Sequence, residues 1–216
     1  MSDDTHEILP PEAELALAWS GQMVRGPLSM ALQFDRRLAG IVRRTGEPML
    51  GQMRLAWWRD ALGRPVDERP RGDAVLDGLG RHWQGREPAL MALVDGWEVL
   101  LTAERLGPAE ADAFGTGRGA FFAALAPGER PERFETAGYR WALADAAAGV
   151  SAPEERAVLI AAGLARGTAG GRVSHRMRGV AVLEALALRA MRRGGRPLME
   201  GRGASLAALR AAIFRS

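Results

Sequence analysis

Apolar residues recur along this chain at helical spacing, and no stretch alternates as a strand would. Leu28, Leu32, Leu38, Ile41 and Val42 form one stripe with a period near 3.6 residues. Val180, Leu183, Leu186, Ala187 and Ala190 form another. β-Branched residues are sparse, whereas Leu, Ala, Met, Arg and Glu, all good helix formers, dominate. Gly and Pro interrupt the pattern at intervals of roughly 10–20 residues, an ordinary helix length. The pattern predicts helices over about 12–20, 28–44, 47–63, 73–83, 88–105, 108–125, 131–149, 153–167, 173–194 and 203–214, with loops at 64–72, 126–131 and 194–203. Pro48, Pro88 and Pro108 suit first turns, and Ser151 with Glu154 reads as a capping box. Gly63 before Pro65, and Gly194-Gly195 before Pro197, read as stops. The expectation is an all-α chain, two-thirds helical or more, well above the average of about one-third for globular proteins.

The segment "GQMRLAWWRDALG" (51–63) sets two tryptophans side by side. Neighbours on a helix point about 100° apart, so one stripe does not easily hold both rings. The apolar side is read as Met49, Leu50, Met53, Trp57, Ala61 and Leu62, which makes Trp57 a largely buried core residue. Trp58 lies off that stripe beside Leu55, partly buried by a second helix, with Arg54 one turn away for its guanidinium to stack on the indole.

Composition narrows the chemistry. With 216 residues, 47% hydrophobic and 25% charged, the chain can bury a core as a single domain, 1–216, with a flexible N-terminus over 1–11. The absence of cysteine excludes disulfides, thiolate nucleophiles and Cys-type zinc sites. All 29 basic residues are arginine, which excludes Schiff-base lysine chemistry and a Walker-A lysine. Residues 1–165 hold 18 Arg against 24 acidic residues, a net of −6. Residues 166–216 hold 11 Arg against only Glu184 and Glu200, a net of +9. No apolar run approaches the ~18 residues of a spanning helix. The acidic start "MSDDTHEILPPEAE" lacks the features of a signal peptide. The expected location is cytoplasmic, including the inner face of a membrane.

Few motifs carry chemistry. "GTGRGA" (115–120) matches G-x-G-x-x-A, but the helical "LGPAEADAF" precedes it where a dinucleotide site needs a strand. Close helix packing through small residues is the better reading. His6, His82 and His175 show no metal-ligand spacing, and no G-x-S-x-G elbow occurs. Asp3-Asp4 reads as a solvated pair, and "RGTAGGRVSHRMRG" (166–179) as a basic loop or a phosphate cradle.

The spacing of "ALQF", "GEPMLGQMRLAWWRDAL" and "LVDGWE" resembles the squalene/phytoene synthase family, most of all its divergent branch of complex I assembly-factor type. "RFETAGYRWALADAA" and the C-terminal "LRAMRRGGRPLMEGRGASLAALRAAIF" fit more weakly. The resemblance implies an isoprenoid-synthase-like helical bundle with a central cavity. Enzymes of this family join prenyl diphosphates on Mg²⁺ held by two aspartate-rich motifs, because hard carboxylate and diphosphate oxygens together fill an octahedral shell. By position the first motif falls near Ala39, Gly40 and Arg43, none acidic, with Asp35 one turn earlier. The second falls within 142–149, which offers only Asp145. The resemblance therefore implies a protein without catalytic residues, cofactor or metal, a lipid-binding or assembly-type factor. Its ligand cavity would draw on Asp35, Arg36, Arg54, Trp58 and Asp145. The alternative is a prenyl transferase with a reorganised site and Mg²⁺. Implied partners are an isoprenoid or lipid ligand and an anionic membrane surface met by the Arg-rich C-terminal part. Nucleic acid is not expected, since no stacking platform accompanies the arginines.

Overall fold

A computed structural model describes residues 8–125, 127–167 and 173–214. Helix accounts for 76% of it, and no strand occurs among the described residues. In chain order the helices are α1 (Pro11–Ala18), α2 (Gln22–Arg44), α3 (Pro48–Gly63), α4 (Ala74–Trp83), α5 (Glu87–Thr102), α6 (Pro108–Gly119), α7 (Phe121–Ala124), α8 (Pro131–Gly149), α9 (Pro153–Ala165), α10 (Arg178–Arg192) and α11 (Gly203–Phe214). Short 3₁₀ turns lie at Val66–Glu68 and His175–Met177. Asp3, Asp4, His6 and part of the 166–179 basic segment lie outside the described residues.

The starts follow local chemistry. Proline opens α1, α3, α5, α6, α8 and α9 in their first turns, where its missing N–H leaves no bond unmade. The Asp73 carboxylate accepts from the Val75 and Leu76 amides and caps α4. Two expectations are corrected. The residue before α9 is Ala152, with no side-chain cap, so Ser151 stands outside the helix. Helix α2 begins at Gln22 rather than near 28, and runs through Pro27. The proline removes only the amide that would bond the Met23 carbonyl, close to the helix start.

Helix α8 lies at the centre, buried around most of its circumference and packed against α6, α7, α9 and α10. Helix α6 is held between α5 and α8 by its glycines. A Cβ on Gly117 would lie 2.7 Å from the Ala92 carbonyl oxygen, and one on Gly119 would lie 2.4 Å from the Gly138 carbonyl carbon. The "GTGRGA" segment is thus a close-packing surface at the C-terminal end of a helix. The stripes predicted on α2 and α10 face inward, with Leu28, Leu38, Leu183 and Leu186 fully buried.

On α3 the expected face holds at Ala61 and Leu62 but is overturned at Met49, Leu50, Met53 and Trp57. Gly51, Leu55, Trp58, Ala61 and Leu62 are buried, whereas Met49, Leu50, Met53 and Trp57 are exposed. Trp58 is 4% exposed and packs against Phe34 with ring centroids 4.8 Å apart; Trp57 is 44% exposed and touches Trp58 edge-on. Gly51 and Leu55 decide the orientation: Leu101 fills the space beside Gly51, so the side of α3 carrying the smallest residue meets its neighbours most closely. Arg54 is exposed, and among the described residues no guanidinium stacks on Trp58.

Trp58→Ala is expected to destabilise the protein by about 3–5 kcal/mol, the range for truncating a large buried ring. Trp57→Ala should stay within about 1 kcal/mol, as surface changes do. Denaturant unfolding of the two variants measures the contrast, and equal losses would show that α3 packs the other way round.

Candidate functional site

Asp35 on α2 and Asp145 on α8 are 110 positions apart in the chain, yet both bind one side chain, that of Arg118. The glycines flanking Arg118 bring the α6 backbone close enough to α5 and α8 for its guanidinium to reach the interior. Its Nε donates to Asp35 Oδ1 and its Nη2 to Asp35 Oδ2, each at 2.8 Å, a two-pronged pairing of planar groups. Nη2 also donates to Asp145 Oδ2 at 2.6 Å, and Nη1 to the Ala142 carbonyl at 3.1 Å. The Trp97 indole N–H donates to Asp35 Oδ1 at 2.8 Å. The faces of the guanidinium are covered too, its Cζ lying 4.7 Å from the Trp97 ring centroid and 4.4 Å from that of Trp141.

Burial and charge oppose each other here. Arg118 and Asp35 are each 1% exposed. Burial works against the guanidinium's charge, but Asp35 and Asp145 outweigh it and hold its proton more firmly than usual. Glu12 on α1 completes the cluster. Its own burial, and then the nearby Asp145 charge, push its carboxyl above the ordinary range, against an opposing pull from a backbone hydrogen bond and Arg36. The space lined by Glu12, Asp35, Arg36, Arg118, Trp141 and Asp145 is a cavity of about 10 Å³, the room of about one water molecule. Arg118, Trp97 and Trp141 fill the space around the two aspartates.

Of the five residues expected to line a cavity, the structure brings together Asp35, Arg36 and Asp145. Trp58 is buried elsewhere in the core, and Arg54 points outward from α3. Arg118, Trp97, Trp141 and Glu12 were not anticipated. The one sequence signal for Arg118 is an arginine set among glycines on a surface built for close packing, a place where a charged side chain has no exit to water. Asp35 has both oxygens engaged by Arg118 and one also by Trp97, so a divalent cation there would have to displace a buried guanidinium. Among the described residues no group of three His, Asp or Glu side chains is arranged to hold a metal ion.

A second buried ionic group ties α8 to α10. Glu184 accepts from Arg133 at 2.5 Å and from Arg140 at 2.7 Å. Arg140 also donates to the carbonyl oxygen of Arg166 at 2.5 Å, fastening the end of α9. Its chemistry is structural: the carboxylate is buried and held by arginines.

No family model, curated protein or solved structure matches the chain. The reading of the site rests on its own geometry and on the resemblance in the motifs quoted above.

Arg118→Met is expected to destabilise the protein by about 3–5 kcal/mol, since it leaves the buried Asp35 carboxylate without its cation. Adding Asp35→Asn should recover part of the loss, and a double-mutant cycle in denaturant measures the coupling. Additive losses would place the two groups apart. Glu12 supplies a pH test. A carboxyl whose folded pKa is raised adds stability in acid and loses it as pH rises through that pKa. Glu12→Gln should therefore raise Tm at neutral pH and leave it nearly unchanged in mild acid; a gain of equal size at both would exclude titration of Glu12.

Proposed function

We propose that this chain is a non-catalytic protein of the squalene/phytoene-synthase type, a lipid-binding or assembly-type factor that works against an anionic membrane surface. The observation that carries the non-catalytic reading is the guanidinium of Arg118 bonded to both Asp35 and Asp145. A synthase of that family needs carboxylate oxygens free to meet Mg²⁺ and diphosphate. Here the aspartates nearest those motif positions are bonded to an internal cation that is buried, bidentate and covered on its faces by two indoles.

The binding half of the reading is supported by apolar side chains left outside. Helix α11 packs inward through Ala204, Ala208, Ala211 and Ala212, and turns Leu206, Leu209 and Ile213 outward. Arg202 and Arg210 are exposed beside them, and no acidic residue occurs between 201 and 214. The end of α10 adds exposed Arg192, Arg193 and Arg196. A helix with an apolar outer stripe and only basic charge suits the headgroup layer of an anionic membrane, lying in its plane. No helix among the described residues is long and apolar enough to cross a membrane. Helix α3 carries a second outward apolar line in Met49, Met53 and Trp57.

Incubation with farnesyl or geranylgeranyl diphosphate and Mg²⁺ should release no diphosphate above a protein-free control. Release that Asp35→Asn abolishes would restore the prenyl transferase. In vesicle sedimentation the protein should bind anionic but not zwitterionic liposomes, more weakly as salt rises. Each basic residue near such a surface adds about 1 kcal/mol, so Arg202→Glu with Arg210→Glu should weaken binding at least tenfold. Equal recovery in the supernatant with both lipids would remove the membrane from the proposal.

A further inference from the structure

A concavity lies far from Arg118 in sequence, where the end of α3, the loop 64–72, α4 and the start of α5 meet. It is a cleft of about 1090 Å³, at the upper end of the range of about 300–1,000 Å³ usual for ligand sites. Four arginines line it: Arg64, Arg69, Arg71 and Arg81.

Arg69 is the built part of the site. It is only 6% exposed. Its Nε donates to the Arg64 carbonyl at 2.9 Å, and its Nη2 to the Leu62 carbonyl at 3.1 Å and to Glu87 Oε1 at 2.9 Å. These bonds pin the loop between α3 and α5 and hold the guanidinium in one orientation. Its Nη1 is buried and has no hydrogen-bond partner. The other three arginines are exposed, and none is ion-paired among the described residues.

Asp67, Asp77 and Glu87 line the same cleft and leave it with one net positive charge. Glu87 is taken by Arg69 at 2.9 Å, and Asp77 Oδ2 accepts from the Gly72 amide at 3.2 Å. Only Asp67 remains without such a bond. Three exposed guanidinium groups, those of Arg64, Arg71 and Arg81, converge on one cleft, and the buried Arg69 holds the loop that carries two of them. Planar forks of this kind match the oxygens of phosphate better than they match a single-point acceptor. Apolar Leu76, Val66 and Met91 line the same space and can meet a ligand's carbon body.

From this convergence we propose that the cleft is a binding site for a phosphate group, free or carried by an amphiphile, with Arg64, Arg71 and Arg81 as its clamp and Arg69 holding the loop that positions Arg64 and Arg71. This site is separate from the Asp35–Arg118–Asp145 cluster and does not depend on that cluster's role or on membrane binding by α11.

Isothermal titration at low salt with inorganic phosphate, and with a soluble short-chain phosphatidic acid, tests it. Both should bind and raise Tm. Arg71→Gln with Arg81→Gln alters only exposed side chains and should leave the fold intact, while weakening both ligands at least about tenfold, or ~1.4 kcal/mol. Tighter binding of the amphiphile assigns the site to a lipid headgroup, and equal binding assigns it to a free phosphate. Absence of heat and of a Tm shift with both probes, or affinities that the double variant leaves unchanged, would overturn the proposal.

Discussion

The buried guanidinium of Arg118 is the interaction on which the centre of this molecule depends. Four helices meet around it: α2 supplies Asp35, α5 supplies Trp97, α6 supplies Arg118 itself, and α8 supplies Trp141, Asp145 and the Ala142 carbonyl. A charge taken out of water is tolerable only when its partners are close, correctly oriented and numerous. That condition is met by two carboxylates, a carbonyl and two ring faces. Apolar packing can slide by fractions of an ångström, but a bidentate pairing fixes direction as well as distance. The ion group therefore sets the registration of α2 and α6 against α8.

The glycines of α6 are the other half of this arrangement. Gly117 against Gly96, and Gly119 against Gly138, let backbones approach until there is no room for a Cβ. Only at that separation does an arginine on α6 reach an aspartate on α2. The same closeness packs the space around Arg118. Other arginines lie at the surface. There, arginine is the sole source of positive charge, and its planar fork gives each basic patch directional bonding that lysine would not.

The outside divides by type of contact. Helices α3 and α11 present apolar side chains, and α11 does so beside arginines only. The cleft between α3, α4 and α5 presents guanidinium groups over a mixed wall. The first arrangement suits an extended surface. The second suits a compact anion, because it is concave and holds Arg69 rigidly from three directions.

By itself the sequence determined the helical class, most helix limits and the inward faces of α2 and α10. These follow from short-range rules: period, proline in first turns, glycine at stops. It also marked Asp35 and Asp145 as isolated carboxylates, which along the chain they are. Only the tertiary structure decided that they share a partner, because Arg118 meets them through helix crossings that no local pattern encodes. The face of α3 was misjudged for a related reason. Counting apolar residues favoured the side with Met49, Met53 and Trp57, yet the neighbours of α3 chose the side where Gly51 allows close approach and Trp58 fits against Phe34. Burial depends on the shape a neighbouring helix offers, and that shape exists only once the chain has folded.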